Sequence, residues 1–249
     1  MIVIKQEDIL HKAQLLRLLT EIVDNQKLSA NVYFKGGTCA SMLGFLDRFS
    51  VDLDFDLKIG ADRGKLRLGF RKLFERFDFG IENENKKALL FILKYAAPQN
   101  QRNSLKLSIS DLFVKANVYK PAYLPEIDRL VNCQTIETMF ANKLIAPVDR
   151  FAKHEKIAGR DIYDIHHFFS QGYCFRQEVI EERMKMGTED YLKNLIKFVE
   201  KQITEEILSE DLSMLLPYDK FQKIRKTLKT ETLIFLRSMV SKLATDVVK

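Results

Sequence analysis

Two aspartates two residues apart, Asp52 and Asp54, lie in the run from Ser50 to Lys58, where apolar and acidic residues alternate without interruption. Alternation of this kind belongs to a strand and puts Asp52, Asp54 and Asp56 on one face, with the first two about 7 Å apart. Paired carboxylates need a cation between them. Their hard oxygens suit Mg²⁺ or Mn²⁺, which take one or two protein carboxylates and complete their shell with phosphate oxygens. Just upstream, Lys35-Gly36-Gly37-Thr38 places two glycines where a strand meets a helix. Without Cβ atoms the backbone can turn sharply and approach a phosphate, and Thr38 adds a hydroxyl donor. Alone, a glycine pair marks a turn and an acidic strand marks a solvated sheet face. In succession they point to metal-assisted handling of a phosphate.

The elements that position these residues can be read from periodicity. Gln6 to Gln26 repeats apolar residues (Ile9, Leu10, Ala13, Leu16, Ile22, Val23) at helical steps. Asn31 to Lys35 is a short strand stopped by the glycine pair, with a short helix from Thr38 to Leu43 after it. Leu66 to Phe77 has helical spacing, and Ala88 to Tyr95 and Leu105 to Ser110 have strand spacing. After Pro121 and Pro125 the strand signal fades. Helical segments then follow at Ile136–Ile145, Asp161–Phe169, Val179–Met186, Tyr191–Lys201 and Phe221–Val248. The expected fold class is α+β, a small mixed sheet with helices over residues 1–130, followed by a helical domain over 131–249.

Composition bounds the function. The 249 residues are 46% hydrophobic with 10 glycines and 5 prolines, enough for a substantial core and too ordered for a fibrous or disordered chain. Cys39, Cys133 and Cys174 form no C-x-x-C pair, as in a reduced, cytoplasmic chain. The N-terminus lacks the apolar core of a signal peptide, and no run of about 18 uncharged apolar residues suggests a membrane span. The net charge of +6 fits contact with a polyanion, most of all where it is dense, at Arg150 to Arg160 and Lys220 to Lys229. The adjacent His166 and His167 point in different directions on a helix and are expected to be structural.

Gly36-Gly37-Thr38 followed by Arg48-Phe49-Ser50-Val51-Asp52-Leu53-Asp54-Phe55 resembles the glycine-pair and double-aspartate signature of DNA polymerase β-like nucleotidyltransferases. It is closest in wording to the AbiEii/AbiGii toxin family. Lys143 and the later Arg160-Asp161-Ile162-Tyr163-Asp164 are similar to that family's second block. The resemblance implies a polymerase β-like core and transfer of an NMP from an NTP to an acceptor, RNA and in particular tRNA. The protein would act as the toxin of a toxin–antitoxin or abortive-infection system with a cognate antitoxin protein. It further implies Asp52 and Asp54 as metal ligands and Gly36, Gly37, Thr38 and Ser50 around the triphosphate. Lys143 would contact phosphates, and Asp161, backed by Asp164, would complete the pocket, so that the two halves share one cleft.

One position departs from the family pattern. The third carboxylate of polymerase β-like enzymes falls by alternation on Ser108, with Asp111 after a bulge, Asp56 or a metal-bound hydroxide as substitutes. That departure keeps open a catalytically weakened nucleotide- or RNA-binding module on the same fold. A protein hydroxyl in place of RNA would leave the site unchanged.

Overall fold

The computed structural model describes residues 5–99 and 101–246. It divides into two compact units. One comprises the residues up to Phe113 together with Tyr119–Thr135, and the other Val114–Val118 with the residues from Ile136 on.

The first unit begins with a single 3₁₀ turn, Gln6–Asp8, and continues through α1 (Ile9–Asp24), α2 (Gln26–Ser29), β1 (Val32–Lys35), α3 (Gly36–Met42), β2 (Leu53–Leu57) and α4 (Arg63–Arg76). It is completed by β3 (Gly80–Asn85), β4 (Leu89–Lys94), β5 (Ser104–Ser110), β6 (Tyr119–Leu124) and β7 (Arg129–Gln134). The strands form one mixed seven-stranded sheet in the order β3-β4-β5-β2-β1-β7-β6. β2 runs antiparallel to β1 and parallel to β5, so the acidic strand is central and both its edges are paired.

One face of this sheet is apolar and covered. Phe55, Phe91, Leu105 and Leu107 are buried on it, and Phe70 and Phe74 of α4 pack edge-on or tilted against Phe91. The opposite face carries the half-buried Lys35, Asp54, Lys106 and Ser108. The strands that sequence spacing did not reveal are the edge strands and β7. β3 is the exposed, polar run GIENEN, held by its ladder to β4. β6 tolerates Pro121 because it is an edge strand. β7 carries the chain past residue 130, so the helical unit starts at Ile136 and not at 131.

The buried stripe of α1 is His11, Leu15, Leu18, Leu19 and Ile22, which corrects the expected one; Ile9 is 57% exposed. The difference is His11, a polar residue inside the core. Its Nε2 donates to the Val51 carbonyl at 2.8 Å, and its Nδ1 lies 2.6 Å from the Tyr95 hydroxyl, which is also 2.8 Å from the Arg102 carbonyl. Burial lowers its pKa from the usual 6.5, outweighing the Val51 bond that raises it. The folded chain therefore protonates His11 less readily than the unfolded chain, whose imidazole binds a proton below about pH 6.5, so stability falls as pH drops through that value. His11→Gln should be less stable at neutral pH but lose this dependence between about pH 5 and 7, as thermal melting across that range would record.

The second unit is helical: α5 (Ile136–His154), α6 (Gly159–Ser170), α7 (Gln177–Met184), α8 (Thr188–Gln202), α9 (Glu205–Leu215), α10 (Tyr218–Ile224) and α11 (Leu228–Asp246). The expected single helix from Phe221 to Val248 is two helices broken at residues 225–227, and its last residues lie outside the described chain. Val114–Val118 joins this unit through main-chain bonds. The N–H groups of Lys115 and Ala116 donate to the Glu182 carboxylate at 2.8 and 2.7 Å, and that of Val118 donates to Thr138 Oγ1. His166 is structural, as expected, bonding Glu231 at 2.6 Å and tying α6 to α11. Among the described residues no helix is long and apolar enough to cross a membrane.

Candidate active site

Gly36 follows the last residue of β1 and has a φ of +80°, a conformation costly for any residue with a Cβ. A Cβ built there would lie 2.8 Å from Asp54 Oδ2 and 3.0 Å from Asp54 Cβ. Backbone shape and space therefore both demand glycine, and the first turn of α3 can lie directly against the Asp54 carboxylate. At Gly37 a Cβ would meet Ser50 Oγ at 2.9 Å and an Arg48 guanidinium nitrogen at 3.2 Å. Thr38, buried, donates its hydroxyl to the Asp52 carbonyl at 2.5 Å. Each residue of the glycine motif thus meets one residue of the acidic segment: Gly36 meets Asp54, Gly37 meets Ser50 and Thr38 meets Asp52. The Thr38 hydrogen, expected to face a phosphate, is used to fix Asp52. Asp52 itself precedes β2, which is shorter than the alternation suggested.

Ser108 pairs in register with Asp54 across the parallel β2–β5 ladder, at the position reasoned for it from the sequence. Asp111 lies beyond β5 and is ion-paired with Arg63 at 2.7 Å. Asp56 is buried. It is ion-paired with Lys35 and accepts hydrogen bonds from the Tyr119 hydroxyl at 2.8 Å and Gln134 Nε2 at 2.6 Å. Asp56 is thus a strut that locks β1, β2, β6 and β7 together, and Asp111 is committed elsewhere. Tyr119 and Gln134 come from strands the sequence spacing did not disclose, so this strut was not legible in advance. Arg48, only 3% exposed, donates to the Phe49 carbonyl and stands beside Gly37. Its place at the head of the Arg48-Phe49-Ser50 run, directly before the acidic strand, is the signal that could have singled it out.

In the helical unit Lys143 of α5 reaches Asp164 at 2.7 Å and Asp161 at 3.3 Å, both on α6 and both fully buried. Arg150 adds two bonds to Asp161, at 3.1 and 3.0 Å. The two buried carboxylates face two cations, the arrangement a buried acid pair requires. Arg150 was expected on a polyanion-binding run and instead completes this cluster. Lys229 donates to the carbonyls of Glu200 and Ile203 at the end of α8, and Lys220 lies over the Tyr163 ring. The second basic run is therefore partly spent on holding helices together.

The carboxylates offer hard oxygen donors, and the missing Cβ of Gly36 leaves beside Asp54 a space that a side chain would fill. These residues fit a divalent cation that takes further oxygens from a phosphate. Among the described residues no cluster of three or more His, Cys, Asp or Glu forms a metal site.

A mixed sheet bearing a glycine turn against an Asp-x-Asp strand, with a helical unit after it, defines an α+β protein of the nucleotidyltransferase type. The family model of the AbiEii nucleotidyl transferase toxin, Type IV toxin–antitoxin system, matches residues 17–232, and the chain belongs to that family. Two solved structures from Helicobacter pylori share the fold. JHP933 is 22% identical over 98% of this chain and 97% of its own, with a TM-score of 0.59. A protein provisionally described as a nucleotidyltransferase is 22% identical over 97% and 98%, also at 0.59. No curated protein matches the chain.

Proposed function

We propose that the protein transfers an NMP from an NTP to an RNA acceptor of the tRNA class, with Asp52 and Asp54 holding a divalent metal. The observation that carries this reading is the contact between Gly36 and Asp54, where the turn that would receive a triphosphate is built against the carboxylate that would bind the metal. A bound Mg²⁺ or Mn²⁺ would neutralise charge on the triphosphate and stabilise entering and leaving oxygens of an in-line displacement. The chain's own part is positional. Gly36 and Gly37 let the backbone approach the phosphates, and Thr38 and Ser50 hold the acidic segment against them. Within the helical unit, Asp161 and Asp164 set the direction of the Lys143 ammonium. Membership of a toxin family implies an antitoxin partner.

The test is incubation of the purified protein with each labelled NTP and total RNA. Labelled RNA that disappears on chelation of divalent metal supports the reading, and labelling of protein alone would replace the acceptor. Gly36→Ala pushes a methyl into Asp54 and strains the backbone. It should lower the transfer rate about 100-fold, the order expected of a misplacement near 1 Å, while costing only about 1–2 kcal/mol of stability. Steady-state rates and thermal melting of the same preparation check both.

Ser108 beside Asp54 favours a second reading, a binding module that kept the fold. NTP binding with no turnover on any RNA would support it. Ser108→Asp, which places a third carboxylate on the same face, would then be the variant expected to gain activity.

A further inference from the structure

A concavity of about 970 Å³ in the sheet-containing unit lies away from the aspartates. It is formed by α1, α2 and α4, on the covered side of the sheet, opposite the face that carries Asp54. α4 is unusually basic, with Arg63, Lys65, Arg67, Arg71, Lys72 and Arg76 against a single acid, Glu75.

These six cations divide into two sets. Arg67 and Arg71 converge on Glu84 and Arg63 on Asp111, so this set ties α4 to its neighbours in the fold. Lys65, Lys72 and Arg76 line the groove instead, with Lys27 contributed from α2. Neither Lys27 nor Lys72 has a side-chain ion pair or hydrogen bond among the described residues. Of the groove's three acids, Asp24 is bonded twice to Arg129, Asp62 caps α4 and lies 3.7 Å from Lys65, and Glu21 has no side-chain ion pair among the described residues, so four cations face one uncommitted carboxylate. Lys65 to Arg76 spans about 16 Å of helix. Between them the groove is floored by the buried Leu28, Leu66 and Leu73 and exposes Leu68, 60% accessible; beyond Arg76 stands the half-buried ring of Phe77, with the Arg76 and Arg17 guanidinium groups 5.2 and 5.4 Å from its centre.

The geometry points to this groove as a docking site for single-stranded RNA, separate from the transfer site. Spaced cations with apolar and aromatic surface between them match a strand of regularly spaced phosphates and flat bases. An acidic amphipathic helix would need a continuous apolar stripe, and the groove exposes one leucine. The inference rests on the RNA acceptor reading for its purpose but not for the binding itself.

The test is fluorescence anisotropy of a labelled single-stranded RNA oligonucleotide titrated with the full chain across a salt series. Lys72→Glu with Arg76→Glu should weaken binding about tenfold or more and flatten the salt dependence by about 1.4 log units per decade, the value for two lost phosphate contacts. The charge-matched pair Lys197→Glu with Lys201→Glu, both exposed on α8 and outside either basic run, should change it far less. Equal losses in both variants would mean unspecific attraction and overturn the proposal. So would an unbound oligonucleotide, or a polyglutamate peptide that binds the groove in its place. Asp52→Asn with Asp54→Asn should bind RNA as the unmodified protein does. Loss of transfer with binding retained, or transfer retained with docking lost, separates failure of the groove from failure of the catalytic reading.

Discussion

Asp54→Asn is expected to lower nucleotidyl transfer on the order of 1,000-fold or more while leaving the protein folded. The substitution keeps the size and shape of the side chain, so the contact with Gly36 survives and the β1–β2 register, Lys35 against Asp54, has no steric reason to change. What would be lost is a negative oxygen at the proposed metal position. A metal ion contributes several kcal/mol of charge stabilisation, and each 1.36 kcal/mol is a factor of ten in rate. The rate with saturating NTP and RNA, beside a melting curve, gives the result. The same change at Asp56 should behave in the opposite way. Asp56 is enclosed by Lys35, Tyr119 and Gln134, so Asp56→Asn should reduce stability more than chemistry.

The second large effect is on stability. Lys143→Met would leave Asp161 and Asp164, both fully buried, with Arg150 as the cation shown beside Asp161. Removing one partner of a buried ion pair costs about 3–5 kcal/mol, because the remaining charge is stranded in a poorly polarisable interior. Replacing the pair together, Lys143→Met with Asp164→Leu, removes the stranded charge and should recover much of that loss. Denaturant unfolding of both variants checks the difference. The double variant is also informative for function. If Lys143 serves the phosphates, the refolded protein remains impaired in transfer; if the lysine only holds α5 to α6, activity returns with stability.

Much of this was legible in the chain because the relevant signals are local. The Asp-x-Asp alternation and the glycine pair each sit within a few residues, and the backbone requirement at Gly36 follows from a strand entering a helix in no space. Ser108 could be placed because strand parity carries over from one element to its neighbour. What was not legible depends on partners far along the chain. His11 is buried because Val51 and Tyr95 satisfy both ring nitrogens. Asp56 is a strut because β6 and β7 bring Tyr119 and Gln134 to it. Those strands have weak spacing of their own and are stabilised by pairing in the sheet. The helix stretch beginning in the basic run read as continuous because a break at residues 225–227 contains neither glycine nor proline.

The most direct test of the account is metal binding itself, measured without turnover. Mn²⁺ titrated into the protein in the presence of a non-hydrolysable NTP analogue, with free ion followed by electron paramagnetic resonance, should show binding that Asp52→Asn and Asp54→Asn each weaken at least about tenfold. Gly36→Ala should weaken it as well, through the displaced Asp54 carboxylate. Binding of the same strength in all four proteins would contradict the assignment of the metal, and with it the chemistry proposed for this site.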